Sequence, residues 1–188
     1  NRVYEISIRI GVMIEIFDDT ISIHDQHHIK NMVEEAMSFE MYNVTGRNNS
    51  KQFVHVLYSM EHDIRSEHCA KITEYFKDLP EFKTHKLTKA KINITLPYKK
   101  RYLLAPHTDS YNSHAITYLY YIIDSDGPTV FYNKRGEKND VPSPPWWWRK
   151  TKISPKQGRL VKFPSDMIHS GNVPYRYNSR IVLNLIFN

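Results

Sequence analysis

The chain has 188 residues, which is enough for one domain with a substantial core. No apolar run approaches the roughly 18–20 residues of a membrane-spanning helix, which excludes that class of protein, and an aromatic content of 13% argues against disorder. The net charge is +6, and a basic face could attract an acidic partner, nucleic acid included. Because Cys69 has no second cysteine to pair with, we expect a soluble protein of the reducing cytoplasm.

The first half of the chain mixes strand and helix patterns. Residues 3–17 alternate and are rich in isoleucine, which predicts one or two strands. Apolar residues then recur at helical spacing in two later segments, the second of which stops before Pro80. The further predicted elements are helices over 24–41 and 61–79 and strands over 53–60 and 89–96.

After residue 96, short β-rich runs follow one another, separated by glycine and proline. Regular short strands without a helical pattern are typical of a sandwich or a jelly-roll barrel. We therefore predict an α+β protein with a single domain over 1–188, in which 89–188 form the β-core and 1–88 supply strands and covering helices. The predicted strands of the second half are 102–105, 115–123, 129–132, 160–163, 167–169 and 180–187.

One motif in the β-rich half predicts a metal site. His107 and Asp109 follow a predicted strand, and if that strand continues, side chains two residues apart point to the same face. An imidazole and a carboxylate suit a divalent iron-type ion. His169, after a later strand and turn, is the natural third ligand, and it would complete a facial triad of two histidines and one carboxylate with positions open for O₂ and a cosubstrate.

The last strand carries a second signal. Residues 180–187 are apolar on both faces apart from Arg180 and Asn184, which share one face, and this indicates a buried central strand. Burying a guanidinium is costly unless it pairs with an anion. A bound carboxylate would supply that anion through two parallel hydrogen bonds. The sequence therefore predicts a carboxylate clamp near the metal site.

Together these features resemble the Fe(II)- and 2-oxoglutarate-dependent dioxygenases, and within them the prolyl 4-hydroxylase-like branch. The resemblance also rests on the strand ITYLYYI after the H-x-D motif and on GRLVKFPSD ahead of His169, and it extends over residues 89–187. It implies a double-stranded β-helix (jelly-roll, cupin-like) core. It further implies Fe(II) as the metal, 2-oxoglutarate and O₂ as cosubstrates, and ascorbate as a reductant.

Carried over by position, the resemblance assigns roles to individual residues. His107, Asp109 and His169 would hold the iron, Arg180 would bind the distal carboxylate of 2-oxoglutarate, and Tyr121 would add a hydroxyl to that carboxylate. The other expected cosubstrate-binding residues are Thr117, Leu119, Asn184 and Asn93. An exposed aromatic cluster near a site can bind a peptide, a sugar or a base, and it can equally cap the end of a barrel; the aromatic residues considered for the substrate mouth are Tyr111, Trp146, Trp147 and Trp148.

The resemblance implies hydroxylation of a C–H bond coupled to decarboxylation of 2-oxoglutarate to succinate, with a prolyl or similar residue of a peptide or protein as the first expectation for the substrate. One alternative is the same chemistry on a nucleic-acid base or a small metabolite, which the basic stretches favour slightly. Another is a non-catalytic metal-binding β-barrel. No membrane partner is expected, and the oligomeric state is left open.

Overall fold

The structure is a computed structural model that describes residues 2–8, 12–44, 50–100, 102–136, 145, 147–148 and 150–188. The helices are α1 (Ile23–Asn31), which continues into a π-helical turn (Met32–Ala36), α2 (His68–Glu74) and α3 (Glu81–Thr84). None of these described helices combines the length and the apolarity that crossing a membrane requires. The strands are β1 (Arg2–Ile8), β2 (Val12–Asp18), β3 (Glu40–Val44), β4 (Ser50–Ser59), β5 (Ile64–Arg65), β6 (Leu87–Thr95), β7 (Ile116–Tyr121), β8 (Thr129–Arg135), β9 (Lys150–Ile153), β10 (Leu160–Pro164), β11 (Met167–Gly171) and β12 (Arg180–Phe187).

Within the described residues, the strands form two antiparallel sheets. The larger sheet has the order β1-β2-β10-β7-β12-β6-β4-β3, with β5 paired to β4, and the smaller has the order β11-β8-β9. Apolar side chains of both sheets meet in one buried cluster, which includes Leu119 and Val182 from the large sheet and Phe131 and Met167 from the small one. The predicted jelly-roll core is therefore confirmed.

Strict alternation along β12 decides what faces this interior. Ile181, Leu183 and Leu185 belong to a second cluster on the opposite face of the large sheet, so Arg180 and Asn184 point the other way, into the barrel. Residues directly opposite one another in a sheet point to the same face. Asn184 lies opposite Lys91 of β6 and opposite Leu119 of β7, so these two side chains also point into the barrel. Polar and charged side chains thus enter an otherwise apolar barrel along β6 and β12.

The helices cover the outer face of the large sheet, as the sequence predicted. Ile29 of α1 and Ile72 of α2 are fully buried and pack in the same cluster as Leu183 and Phe187. Ser22 caps α1, since its side chain accepts a hydrogen bond from the backbone N–H of Asp25 at 3.1 Å. This layer shields one side of the sheet from water and leaves the other side to form the barrel interior.

Several element predictions are wrong in detail, and the helix predicted over 24–41 already ends at Ala36, before β3 begins. The helix predicted over 61–79 is only α2, because residues 64–65 pair with β4 instead, and Pro80 precedes α3. The strand predicted over 102–105 is reduced to a bridge between Leu103 and Asn172. Strand β9 was not predicted, because its charged, partly exposed pattern is that of an edge strand rather than a buried one.

Candidate metal centre and carboxylate pocket

The three predicted metal-binding side chains meet at one end of the barrel. His107, Asp109 and His169 each offer a ligand atom, and these atoms all lie within 4.8 Å of one another. Nε2 of His107 is 3.9 Å from Oδ1 of Asp109, and Nε2 of His169 is 3.6 Å from Oδ2. One cation could therefore contact all three groups after small side-chain shifts.

Backbone hydrogen bonds place the H-x-D segment beside β11. His107 and His169 form an antiparallel bridge in which each backbone N–H donates to the carbonyl of the other residue at 2.9 Å. The backbone N–H of Asp109 donates to the carbonyl of Ser165 at 2.8 Å. The segment is not a regular strand, yet these contacts hold it extended enough for both side chains to point to the same place.

Carbonyl groups set the orientation of both imidazoles. Nδ1 of His169 lies 2.9 Å from the carbonyl oxygen of Met167, and Nδ1 of His107 lies 3.2 Å from that of Ala105. Because a carbonyl oxygen only accepts hydrogen bonds, each Nδ1 carries a proton, and each Nε2 faces the carboxylate of Asp109. Histidine ligands of metal ions are commonly held in this way through their second nitrogen.

The charge state of the cluster also suits a cation. Burial, and next the neighbouring His169 imidazole, lower the pKa of His107 to about 4, so this ring is neutral at pH 7. Burial by itself raises the pKa of the Asp109 carboxyl, but the two imidazoles and the Lys91 ammonium bring it below its ordinary value. Oδ2 of Asp109 is buried and has no hydrogen-bond partner among the described residues. Two imidazoles and a carboxylate oxygen without a partner among the described residues are the donor set of a divalent iron-type ion.

Arg180 is the buried cation that the sequence predicted. It is 4% exposed, its Nε donates to the carbonyl of Gly127 at 2.9 Å, and its Nη2 donates to Oγ1 of Thr129 at 2.7 Å. No carboxylate of the described chain segments lies within 4.0 Å of its guanidinium. A buried charge held only by neutral acceptors is costly, so an external anion would stabilise it.

One cavity of about 90 Å³ connects the metal-binding side chains with Arg180. A water molecule needs roughly 10–15 Å³ by this measure, so the cavity has room for a small organic ion. An anion-binding group and a metal-binding group in one cavity fit a ligand with two acidic ends. The remaining lining residues are Gln52, Lys91, Asn93, Leu104, Ala105, Leu119, Thr129, Gly171, Val182 and Asn184.

The other expected cosubstrate residues are placed in two groups. Asn93, Leu119 and Asn184 line the cavity. The hydroxyl of Tyr121 forms a hydrogen bond with Oγ1 of Thr129 at 2.6 Å. The same Oγ1 accepts a hydrogen bond from Arg180, so Tyr121 and Arg180 both contact Thr129. Thr117 lies outside the cavity lining, where its hydroxyl bonds that of Ser165 at 2.8 Å and helps to lower the pKa of the Asp109 carboxyl.

The residues considered for the substrate mouth differ in their exposure. Tyr111 and Trp147 are 46% and 65% exposed. Trp148 packs with Val130, Tyr132 and Ile168 on the outer face of the small sheet, away from the barrel interior. Alternation explains this, because the neighbouring Phe131 occupies the inner face. Trp146 lies outside the described residues.

The sequence reasoning missed Lys91, which lines the cavity from β6. Burial lowers the pKa of its ammonium, and the nearby Asp109 carboxylate opposes that shift. The sequence contained a signal for this residue. Lys91 and Asn93 are two positions apart on a strictly alternating strand, so their side chains point to the same face. A lysine is ordinarily expected at the surface, where its ammonium stays hydrated.

Comparisons with known proteins support the fold. No protein-family model matches the sequence, and no curated protein sequence matches it. The structure of SnoN, a non-heme alpha ketoglutarate (2-oxoglutarate) dependent epimerase from nogalamycin biosynthesis, superposes with a TM-score of 0.67 at 12% identity, over 93% of this chain and 77% of SnoN.

Two further solved structures are similar at comparable coverage. An oxidoreductase of the 2OG-Fe(II) oxygenase family from Burkholderia pseudomallei has a TM-score of 0.67 at 13% identity, over 93% of this chain and 84% of its own. A prolyl hydroxylase from Trichoplax adhaerens, in complex with a peptide fragment, has a TM-score of 0.59 at 16% identity, over 93% and 82%. The chain therefore has the double-stranded β-helix fold of the 2-oxoglutarate- and Fe(II)-dependent oxygenases.

Proposed function

We propose that this protein is an Fe(II)- and 2-oxoglutarate-dependent oxygenase that hydroxylates a C–H bond. The observation that carries the proposal is a cavity lined by His107 and His169 of the metal-binding cluster and by Arg180, a buried arginine that pairs with no carboxylate of the described residues. Solved structures of the same fold support it, since SnoN has been captured with Fe³⁺ and alpha ketoglutarate and HygX of Streptomyces hygroscopicus with nickel and 2-oxoglutarate.

The metal ligands would be Nε2 of His107, Nε2 of His169 and the carboxylate of Asp109. Bound iron would supply the oxidation chemistry, in which O₂ is reduced while 2-oxoglutarate is decarboxylated to succinate and a substrate C–H bond is hydroxylated. The chain's own contribution is geometric. The carbonyls of Met167 and Ala105 hold the two rings in one tautomer, and the hydroxyl of Thr117 holds the carboxylate.

Arg180 would bind the distal carboxylate of the diacid. Its guanidinium is fixed by Gly127 and Thr129, so it loses little conformational freedom on binding. A charge-assisted pair is strong at a buried position, where water does not compete for the guanidinium. Leu119 and Val182 are buried apolar parts of the cavity wall, and such a wall would keep water away from the bound diacid.

For the substrate we propose a residue of a peptide or protein, of prolyl or similar type. Support comes from Tyr111, an exposed aromatic side chain two positions beyond Asp109, and from the peptide-bound prolyl hydroxylase of the same fold. A small metabolite is the second candidate. It is favoured by HygX, which has the same fold and has been solved with hygromycin B.

The test begins with the iron-loaded protein under anaerobic conditions. We expect 2-oxoglutarate to produce a visible charge-transfer band, and we expect succinate to form when O₂ and ascorbate are added. Candidate peptides and small molecules are then ranked by the extra succinate that they elicit, with Asp109→Ala as the inactive control. Iron-loaded protein that gives neither band nor succinate would instead be a non-catalytic metal-binding barrel.

A further inference from the structure

A lysine side chain enters the candidate site from β6, and the proposed function leaves it without a role. Lys91 lines the same cavity as His107, His169 and Arg180. It lies directly opposite Asn184 in the pairing of β6 with β12. The cavity therefore contains two cationic side chains, one on each of two neighbouring strands.

The strand register shows that these two cations lie toward opposite ends of the cavity. Arg180 pairs with Thr95, which is four residues beyond Lys91 on the same strand. At roughly 3.3 Å per residue, the two backbone positions are about 13 Å apart along the strand direction.

The metal ligands lie at the Lys91 end. The hydroxyl of Thr117 contacts Asp109, and Thr117 pairs with Ile186 of β12. Ile186 is two residues further from Arg180 along β12 than Asn184, which pairs with Lys91. Lys91 thus marks the metal end and Arg180 the distal end.

Lys91 has no counter-ion of its own in the described part of the chain, where no carboxylate lies within 4.0 Å of its Nζ. The carboxylate of Asp109 is the nearest negative charge to Lys91, and a metal ion bound to Asp109 would neutralise it. Across the strand pair, Oδ1 of Asn184 is buried and lacks a hydrogen-bond partner among the described residues. A cation and an unpaired amide that share one cavity wall are groups that a bound ligand would satisfy.

We propose that Lys91 forms a second carboxylate-binding position at the metal end of the cavity, so that the pocket accepts anionic groups at both ends. The inference rests on the proposed function, because it takes the metal and the diacid as the occupants of the cavity. The carboxylate at Lys91 has two possible sources. One is the carboxylate beside the keto group of 2-oxoglutarate, and the other is a carboxylate of the molecule to be oxidised.

The experiment measures ligand binding rather than turnover. Nickel-loaded wild type, Lys91→Met and Lys86→Met are titrated calorimetrically with 2-oxoglutarate and with 2-oxobutanoate, which keeps the keto acid but lacks the distal carboxylate. Lys86 is exposed and precedes β6, so its variant makes the same charge change outside the cavity. Acetate is then titrated into each 2-oxoglutarate complex as a probe for a substrate carboxylate. Thermal unfolding and nickel content show whether each variant is folded and loaded.

If the cosubstrate is the source, Lys91→Met weakens both keto acids by the same factor, at least about tenfold, whereas Lys86→Met has no effect and Lys91→Arg restores part of the affinity. If the substrate is the source, keto-acid binding is unchanged and acetate binding is lost. Wild-type affinity for all three probes in Lys91→Met would overturn the proposal. Failure of the proposed function looks different, because the nickel-loaded wild type would then bind no 2-oxoglutarate at all.

Discussion

His107 and His169 pair across an antiparallel bridge, with each backbone N–H donating to the other residue's carbonyl at 2.9 Å and with ring centroids 4.5 Å apart. The contact that joins two distant parts of the sequence is therefore also the contact that brings two metal-binding side chains together. Since the backbone sets their separation, the candidate metal site is formed by the fold itself. Metal loading then requires only adjustment of side chains.

Removing either anchored ligand abolishes metal binding. We expect Asp109→Ala and His169→Ala to lower Fe(II) affinity at neutral pH by more than about 100-fold, since even a supporting contact around a metal ligand is worth 10–100-fold. Metal analysis after anaerobic loading checks this. His114→Ala is the matched control, because His114 is exposed and outside the cluster. Wild-type iron content in either ligand variant would contradict the assignment.

Replacing the buried guanidinium weakens cosubstrate binding without affecting the metal. We expect Arg180→Met to cost about 2–5 kcal/mol of 2-oxoglutarate binding free energy, because one partner of a buried charge pair is lost. Calorimetry on the nickel-loaded protein measures this, and nickel content stays at the wild-type level. Arg176→Met removes an exposed arginine nearby and leaves the affinity unchanged. Equal affinities in the two variants would exclude Arg180 as the anchor.

A methyl group at Gly171 displaces the same guanidinium. A Cβ there would lie 3.3 Å from Nη1 and 3.5 Å from Cζ of Arg180, which is tight for a side chain already fixed by two hydrogen bonds. We expect Gly171→Ala to weaken 2-oxoglutarate binding by roughly 1–3 kcal/mol, the usual cost of overpacking. Binding of 2-oxobutanoate, which lacks the distal carboxylate, is the internal control and stays as in wild type. If both ligands weaken equally, the methyl group acts elsewhere than at Arg180.

The sequence predicted the interior of the barrel well, because alternation along a strand fixes which side chains face inward. Arg180 and Asn184 were assigned to one face of the last strand, and the structure turns both into the barrel. The same rule fixes no distance where the chain is extended without being a regular strand. His107 is held by a single bridge, so its distance from His169 depends on a long-range pairing that local sequence does not encode.

Tertiary pairing also overrides local helical spacing. Ile64 and Cys69 were both expected on one helix, yet Ile64 belongs to a short strand on β4 and only Cys69 lies in α2. For Trp148, the sequence shows an aromatic cluster but not the face it joins. Trp148 joins the outer face because it packs against Tyr132, and this contact depends on how the small sheet is oriented.

An ion pair outside the cavity lining makes stability depend on pH. Asp18 closes β2 and accepts hydrogen bonds from Arg159 at 2.7 and 3.0 Å and from Lys156 at 3.2 Å. The hydrogen bonds from Arg159 have the largest effect, and they outweigh burial to hold the pKa of Asp18 below its ordinary value. The folded state thus favours the ionised carboxylate. This stabilisation is complete above the unfolded-state pKa and is lost as the pH falls through the lower folded-state pKa.

We therefore expect Asp18→Asn to reduce the free energy of unfolding at pH 7 by about 1–3 kcal/mol, the usual value of hydrogen bonds to a charged group. The deficit shrinks as the pH is lowered below about 4, which urea unfolding across a pH series measures. Asp19→Asn is the matched control. Asp19 is exposed, and its φ of 56° is one that asparagine adopts readily. This variant changes the same charge and loses only an exposed contact with Lys156 at 3.7 Å, while the hydrogen bonds of Asp18 remain. A deficit in Asp18→Asn that persists undiminished at pH 3 would mean that the carboxylate acts through its shape rather than its charge.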